Sequence, residues 1–209
     1  MKIKNKVRLY GAGGHAQIIK FIIQENNTFL EGVYDDDPKL AHKNFHGVRN
    51  GFRLNQSNFV YDDIPFIIAI GNNRIRAEIA GFLKCSFSNA VHTSAIISEN
   101  VHVGEGTVIY AGAIIQPNTS IGKHVIINTA ANVDHDNTIH DFVHISPNAT
   151  LCGLVEVGTG SHIGAGAVII PQIKIGEWCV IGAGSVVIHD VPDFAVVVGN
   201  PGKIIKINR

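Results

Sequence analysis

The chain has 209 residues, with 17 basic and 17 acidic side chains and no charged tract, so nucleic acid is excluded as an expected partner. No apolar run approaches the ~20 residues needed to span a bilayer, and no charged-then-apolar leader opens the sequence. Three scattered cysteines, Cys85, Cys152 and Cys179, argue against a disulfide framework, so a cytoplasmic protein without membrane insertion is expected.

Residues 1–90 read as alternating strands and helices. "VRLYG" (7–11) is a short buried strand, followed by "GAGGHA" and the apolar-periodic "QIIKFIIQ" of a helix. A second strand, "FLEGVYDDD" (29–37), ends in acids. "FIIAIG" (66–71) is a third strand and "NRIRAEIAGFL" (73–83) a second helix. This pattern predicts a small Rossmann-like parallel sheet with ligand groups at the carboxyl ends of its strands. Gly11, Gly13 and Ala16 fit G-x-G-x-x-G/A, with Asp35 and Asp36 about 20 residues on. Glycines let the backbone approach a phosphate, and the helix N-terminus supplies N–H groups and partial positive charge. A domain of about 90 residues lacks the second mononucleotide-binding half of a dinucleotide site. One nucleotide diphosphate fits better, with Gly13, Gly14 and His15 on phosphates or sugar and Asp35 or Asp36 on ribose or base. Gly71 ends the third strand on the same edge and would approach the sugar.

From Val91 to Val187, seventeen positions spaced by six are all Val, Ile or Leu. From Ile97 onward, two residues before each stands a small or compact residue (Ala95 to Ser185), with one exception, Asn137. A period of six fits neither a helix nor a simple alternating strand. It fits a parallel β-solenoid whose short sides stack at ~4.8 Å. The run resembles the left-handed parallel β-helix of hexapeptide repeats, a resemblance that implies three hexads per coil. The chain thus divides into an α/β domain, 1–90, and an all-β solenoid with a C-terminal cap, 91–209. The tail leaves the hexad rule at Asp193 and is expected to fold back as an irregular cap or short strand.

"ANVDHDNTIH" (131–140) gathers polar residues where the chain is otherwise aliphatic or small. With coils of three hexads, Gly153 falls directly above His135 and Pro117 directly below. A glycine there leaves the imidazole uncovered and offers an unshielded N–H. Those are a base and an oxyanion donor, two parts of an acyl-transfer site. His144 lies half a coil on, facing another side of the prism. Asp136 reaches His135 only if the chain bends between them, since adjacent strand residues point oppositely. His92, His102, His124, His162 and His189 read as outward polar positions, and Cys152 and Cys179 as small packed hydrophobes.

Taken together, "GAGGHA", "YDDD", "AIGNN", the hexads, "DHD", "HISPNATLCG" and "VVVGNPGK" resemble the bacterial sugar acyltransferases of the PglD, PerB and NeuD type over essentially the whole chain. The resemblance implies N-acetylation of a nucleotide-linked 4-amino sugar by acetyl-CoA, for surface glycan or glycoprotein biosynthesis, in a homotrimer. It further implies His135 as general base supported by Asp136, His144 at the acetyl group, the Gly153 N–H on the thioester oxygen, and Ala165 and Ala183 on the pantetheine arm. No metal is expected. The alternatives are O-acetylation of a sugar hydroxyl of the sialic-acid type, a metal-dependent hexapeptide-repeat carbonic anhydrase, or a non-catalytic sugar-nucleotide-binding trimer. His135 and His140 have zinc-site spacing, but the third position of that set is occupied by Glu99.

Overall fold

The computed structural model describes residues 5–37, 44–45, 48–51 and 63–208, in two compact units, Met1–Thr93 and Ser94–Arg209. In the first unit β1 (Lys6–Tyr10) lies between β2 (Phe29–Tyr34) and β5 (Phe66–Ile68), both parallel to it. Two short strands absent from the sequence reading, β3 (Asn44–Phe45) and β4 (Val48–Gly51), extend the sheet beyond β2 to the order β3-β4-β2-β1-β5. β4 is parallel to β2, and β3 runs antiparallel to β4.

β5 reads as an unbroken apolar run, and β1 as one broken by Arg8 alone after its first residue, because layers cover both their faces. Val7, Leu9, Phe66, Ile67 and Ile68 are all essentially inaccessible. Helix α1 (Gly14–Glu25) buries Ala16, Ile19 and Ile23, the i, i+3, i+7 stripe of an amphipathic helix. Helix α2 (Asn73–Phe82) is N-capped by the Asn72 side chain, which accepts from the Ile75 N–H at 3.1 Å. Tyr10, Phe66, Ile68, Ile79 and Leu83 form one core cluster, with Phe82 edge-on to Tyr10. The loops after β1, β2 and β5 are tied together at the sheet's carboxyl edge. Gly11 N–H donates to Tyr34 O and Ala69 N–H to Tyr10 O, each at 2.6 Å.

The second unit is a solenoid of two-residue strands separated by turns. Each strand pairs in parallel with the one a coil later, for example Asn132–Val133 with Thr150–Leu151 and His144–Ile145 with His162–Ile163. Three faces result. One carries Asn132–Val133, the next Thr138–Ile139, and the third His144–Ile145. The aliphatic register points inward as the period of six requires. From Ile109 to Val187 every one of these side chains is at most 2% exposed. Val91, Ile97 and Val103 are less covered.

Corners are made by residues in the left-handed region. Asn118 (φ 61), Asp136 (φ 57), Leu154 (φ 63) and Gln172 (φ 67) stack along one of them. A left-handed L-residue costs roughly 1–2 kcal/mol, which here is offset by the rung-to-rung ladder, as in Asp136 N–H to Pro117 O at 3.0 Å. The tail forms the expected cap. Ala195–Val198 adds in parallel to Val180–Ile181, and Lys203–Ile207 returns antiparallel to it.

Candidate active site

The turn Asp134–Asn137 joins the first and second solenoid faces. Because Asp136 adopts φ 57, its carboxylate folds back beside the preceding side chain instead of pointing to the opposite face. The bend that the sequence left conditional is present. His135 Nδ1 lies 2.7 Å from Asp136 Oδ2. Asn118, one coil earlier, donates to Asp136 Oδ1 at 3.2 Å, a contact that sequence reasoning missed although Asn118 and Asp136 occupy one corner register. The imidazole side chain is 51% exposed. Its hydrogen bond to Asp136 holds its pKa above the ordinary histidine value despite some desolvation, and Asp134 adds to the effect.

Gly153 lies over this ring. A Cβ there would stand 2.7 Å from His135 Cε1 and 2.8 Å from Nε2, so no other residue leaves room for the imidazole. Rings also occupy glycine-made space at Gly106/His124 and Gly160/Trp178. His124 is a correction to the outward reading, since it is 3% exposed and stacked on Phe142. What distinguishes His135 among these glycine-seated rings is its exposure together with a carboxylate on one nitrogen; His140, likewise exposed and 3.1 Å from Glu156, has no such glycine over it among the described residues. Among the described residues the Gly153 N–H has no partner.

His144 sits on the third face, away from the corner that carries His135. Its Nε2 lies 3.0 Å from Asn128 Nδ2, another contact the sequence reading missed, and its ring stacks on His162 at 4.7 Å. The corner after that face carries exposed Ala165 and Ala183 on consecutive rungs, joined by Gly184 N–H to Ala165 O at 2.8 Å. Beside them Gly166 and Gly184 have open space where a side chain would be. This corner presents only methyl groups and backbone, a surface that fits an extended pantetheine arm. One chain therefore carries two separate constellations, His135/Asp136/Gly153 and His144/Ala165/Ala183. Among the described residues no group of three or more His, Cys, Asp and Glu has metal-holding geometry, and no helix is long and apolar enough to cross a membrane.

In the first unit Gly11 (φ 111) passes so close to Ala69 O that a Cβ would stand 2.6 Å away, which fixes glycine there. Gly13 caps α1 without a side-chain bond, and Gly13, Gly14 and Gly71 are exposed with open space around them. His15 is half-buried, and burial, then the Arg76 charge, push its pKa down to about 4. It is neutral near pH 7 and offers one donor and one acceptor. Arg76, unnoticed in the sequence, is 1% exposed and donates to Ile70 O at 2.9 Å and Asn73 Oδ1 at 2.8 Å. The two acids divide. Asp35 accepts from Ala12 N–H at 2.7 Å and Asp37 N–H at 2.8 Å, whereas Asp36 is exposed.

Two outcomes follow for substitution. Asp35→Ala removes one of the two ties between the glycine loop and the end of β2, leaving Gly11 N–H on Tyr34 O, so KM for a nucleotide-linked acceptor is expected to rise while kcat at saturation stays. Initial-rate kinetics at varied acceptor concentration read this. Asp136→Asn exchanges the carboxylate for a neutral amide oxygen and so weakens the bond that raises the His135 pKa. A base works only when neutral, so a raised pKa places the acid limb of kcat/KM at higher pH. The variant's limb therefore moves to lower pH, with a lower plateau. An unmoved limb would detach Asp136 from that ionisation.

Residues 6–83 match the PglD N-terminal domain family and residues 154–189 the bacterial transferase hexapeptide family (six repeats). A UDP-N-acetylbacillosamine N-acetyltransferase of Bacillus subtilis is 44% identical over 112 residues, 49% of this chain and 50% of that protein. The chain thus spans about half the length of this curated relative in the match. PerB from Caulobacter crescentus, solved with CoA and GDP-perosamine, is 33% identical with a TM-score of 0.87, covering 96% of this chain and 97% of that one. The acetyltransferase domain of PglB from Neisseria gonorrhoeae, solved with acetyl coenzyme A, is also 33% identical with a TM-score of 0.87, over 97% of this chain and 100% of that domain. With both units matched in order and 96–97% of the chain superposed on such structures, the chain belongs to the bacterial hexapeptide-repeat acyltransferases that carry a PglD-type N-terminal domain.

Proposed function

We propose that this protein transfers an acetyl group from acetyl-CoA to the amino group of a nucleotide-linked 4-amino sugar, with His135 as general base. The observation that carries this is an exposed imidazole whose Nδ1 is held 2.7 Å from Asp136 beneath Gly153. With Asp136 accepting from Nδ1–H, the Nε2 lone pair is free for a proton. The neutral amine attacks the thioester carbon, and the carbonyl electron pair moves to oxygen, where the Gly153 N–H donates. Nε2 takes the amine proton. As the carbonyl re-forms, the carbon–sulfur bond breaks, and the imidazolium returns its proton to the departing thiolate. Atoms and charge balance without a covalent enzyme intermediate.

The glycine loop, His15, Asp36 and Gly71 take the nucleotide and sugar, and Ala165 and Ala183 flank the pantetheine arm. Because His144 and the alanines lie on a face and corner other than that of His135, a neighbouring copy completes the site, as in a homotrimer of solenoids. The relatives named for UDP-N-acetylbacillosamine and perosamine support an amino acceptor. Thiol release from acetyl-CoA, measured against a panel of nucleotide-linked 4-amino sugars and matching hydroxyl sugars, tests the reading. Turnover on an amino member supports it, and turnover confined to hydroxyl members overturns it.

A further inference from the structure

Asn137 is the one side-chain amide in the inner register of small residues. Thr107, Thr119 and Ser161 share that register, and their hydroxyls bridge rungs. Each donates to a carbonyl fifteen residues on and accepts from an N–H eighteen on, as Ser161 does with Gly176 O at 2.7 Å and Cys179 N at 2.8 Å. Asn137 keeps both bridges, donating from Nδ2 to Cys152 O at 3.0 Å and accepting at Oδ1 from Val155 N–H at 3.1 Å. It adds a bond the hydroxyls lack. Nδ2 donates to Asp134 O at 2.6 Å, across its own turn, with His135 O at 3.4 Å. Only one orientation of the amide satisfies carbonyls on one end and an N–H on the other, and the side chain is 1% exposed.

The two acceptors belong to informative peptides. Asp134 O is the carbonyl of the peptide that enters His135, and Cys152 O is that of the peptide that enters Gly153. A trans peptide sets its C=O and N–H on opposite sides. Holding Cys152 O inward from a buried amide therefore turns the Gly153 N–H outward, to the side where an acyl oxygen develops. The two hydrogens of one planar NH2 group thus fix the base and the oxyanion donor relative to each other. We infer that Asn137 is a positioning residue that locks His135 to the Gly153 N–H, an assignment that rests on the acetyl-transfer reading above.

Asn137→Thr separates this role from coil stability. A threonine retains both inter-rung bonds, as Thr119 does, and Asp134 O keeps its bond from the Thr119 hydroxyl at 2.9 Å. Only the clamp across the His135 turn is lost. The expected result is a kcat lowered roughly 10–100-fold by misplacement of the base, with KM for both substrates and the thermal transition unchanged. In a His135→Ala background the same substitution produces no further loss. Asn137→Thr with wild-type kcat, or with equal loss in both backgrounds, overturns the inference while the base reading stands. His135→Ala at wild-type turnover removes the base reading and this inference with it. As a readout free of activity, the amide resonance of Gly153 shifts in the threonine variant; an unmoved resonance counts against the clamp.

Discussion

Replacing His135 by Ala is expected to lower kcat by roughly 10²–10⁴, the range of a positioned general base, and to leave folding intact. The ring is half exposed, and its side chain is hydrogen-bonded to Asp136. Truncation opens no cavity, and the Asp136 carboxylate keeps Asn118 as donor. Surface changes of this kind stay within about 0.5 kcal/mol in stability. Loss of turnover with an unchanged thermal transition therefore isolates proton transfer from structure. On the proposal that Ala165 and Ala183 flank the pantetheine arm, KM for acetyl-CoA should hold, because those residues lie on a different corner. Added imidazole should restore part of the rate in the alanine variant, as it would not if the side chain served only to shape the cleft. Purified His135→Ala with full turnover would remove the residue from the chemistry.

The solenoid was legible because its physics is periodic. An interior filled by branched side chains every sixth residue leaves the same trace in the sequence from Ile109 to Val187, and each of those positions is buried. The pairing of His135 with Gly153 was legible for the same reason, since a constant coil length converts separation into height. What the period does not encode is backbone sign and side-chain direction. The left-handed turn at Asp136 that brings its carboxylate to His135 is imposed by the corner, where Asn118, Leu154 and Gln172 do likewise, and no local residue preference required it of leucine. In the sequence Asn137 stood out as the exception in the register of small residues. It is buried, because an inner register that tolerates Thr and Ser hydroxyls between rungs also tolerates an amide that satisfies every partner. In the glycine-loop unit the strand–helix alternation was readable. The division of labour between Asp35 and Asp36 was not, because it depends on which carboxylate meets the Ala12 N–H.

Gly153→Ala is expected to reduce kcat by nearly as much as removing the imidazole, with little change in thermal stability. The added methyl would stand 2.7 Å from His135 Cε1 and 2.8 Å from Nε2, a separation that real carbon atoms do not tolerate. The obstacle is the end of an exposed side chain, so relief comes from rotation of the ring away from Asp136, and the coil itself need not move. Gly158→Ala supplies the contrast. There the methyl would meet backbone, at 2.6 Å from Gly176 C and 2.8 Å from Glu177 N. Relief at that rung requires the coils to separate, at a cost of about 1–3 kcal/mol for overpacking, while His135 is untouched. The two variants should therefore dissociate, one losing turnover at constant melting temperature, the other losing melting temperature at near-constant turnover. Alanine retains a backbone N–H, so the loss at Gly153 cannot arise from a missing oxyanion donor. If the defect is displacement of the ring, Gly153→Ala adds nothing to His135→Ala in the double variant. A further loss there would mean that the glycine acts on the substrate directly and not through the imidazole.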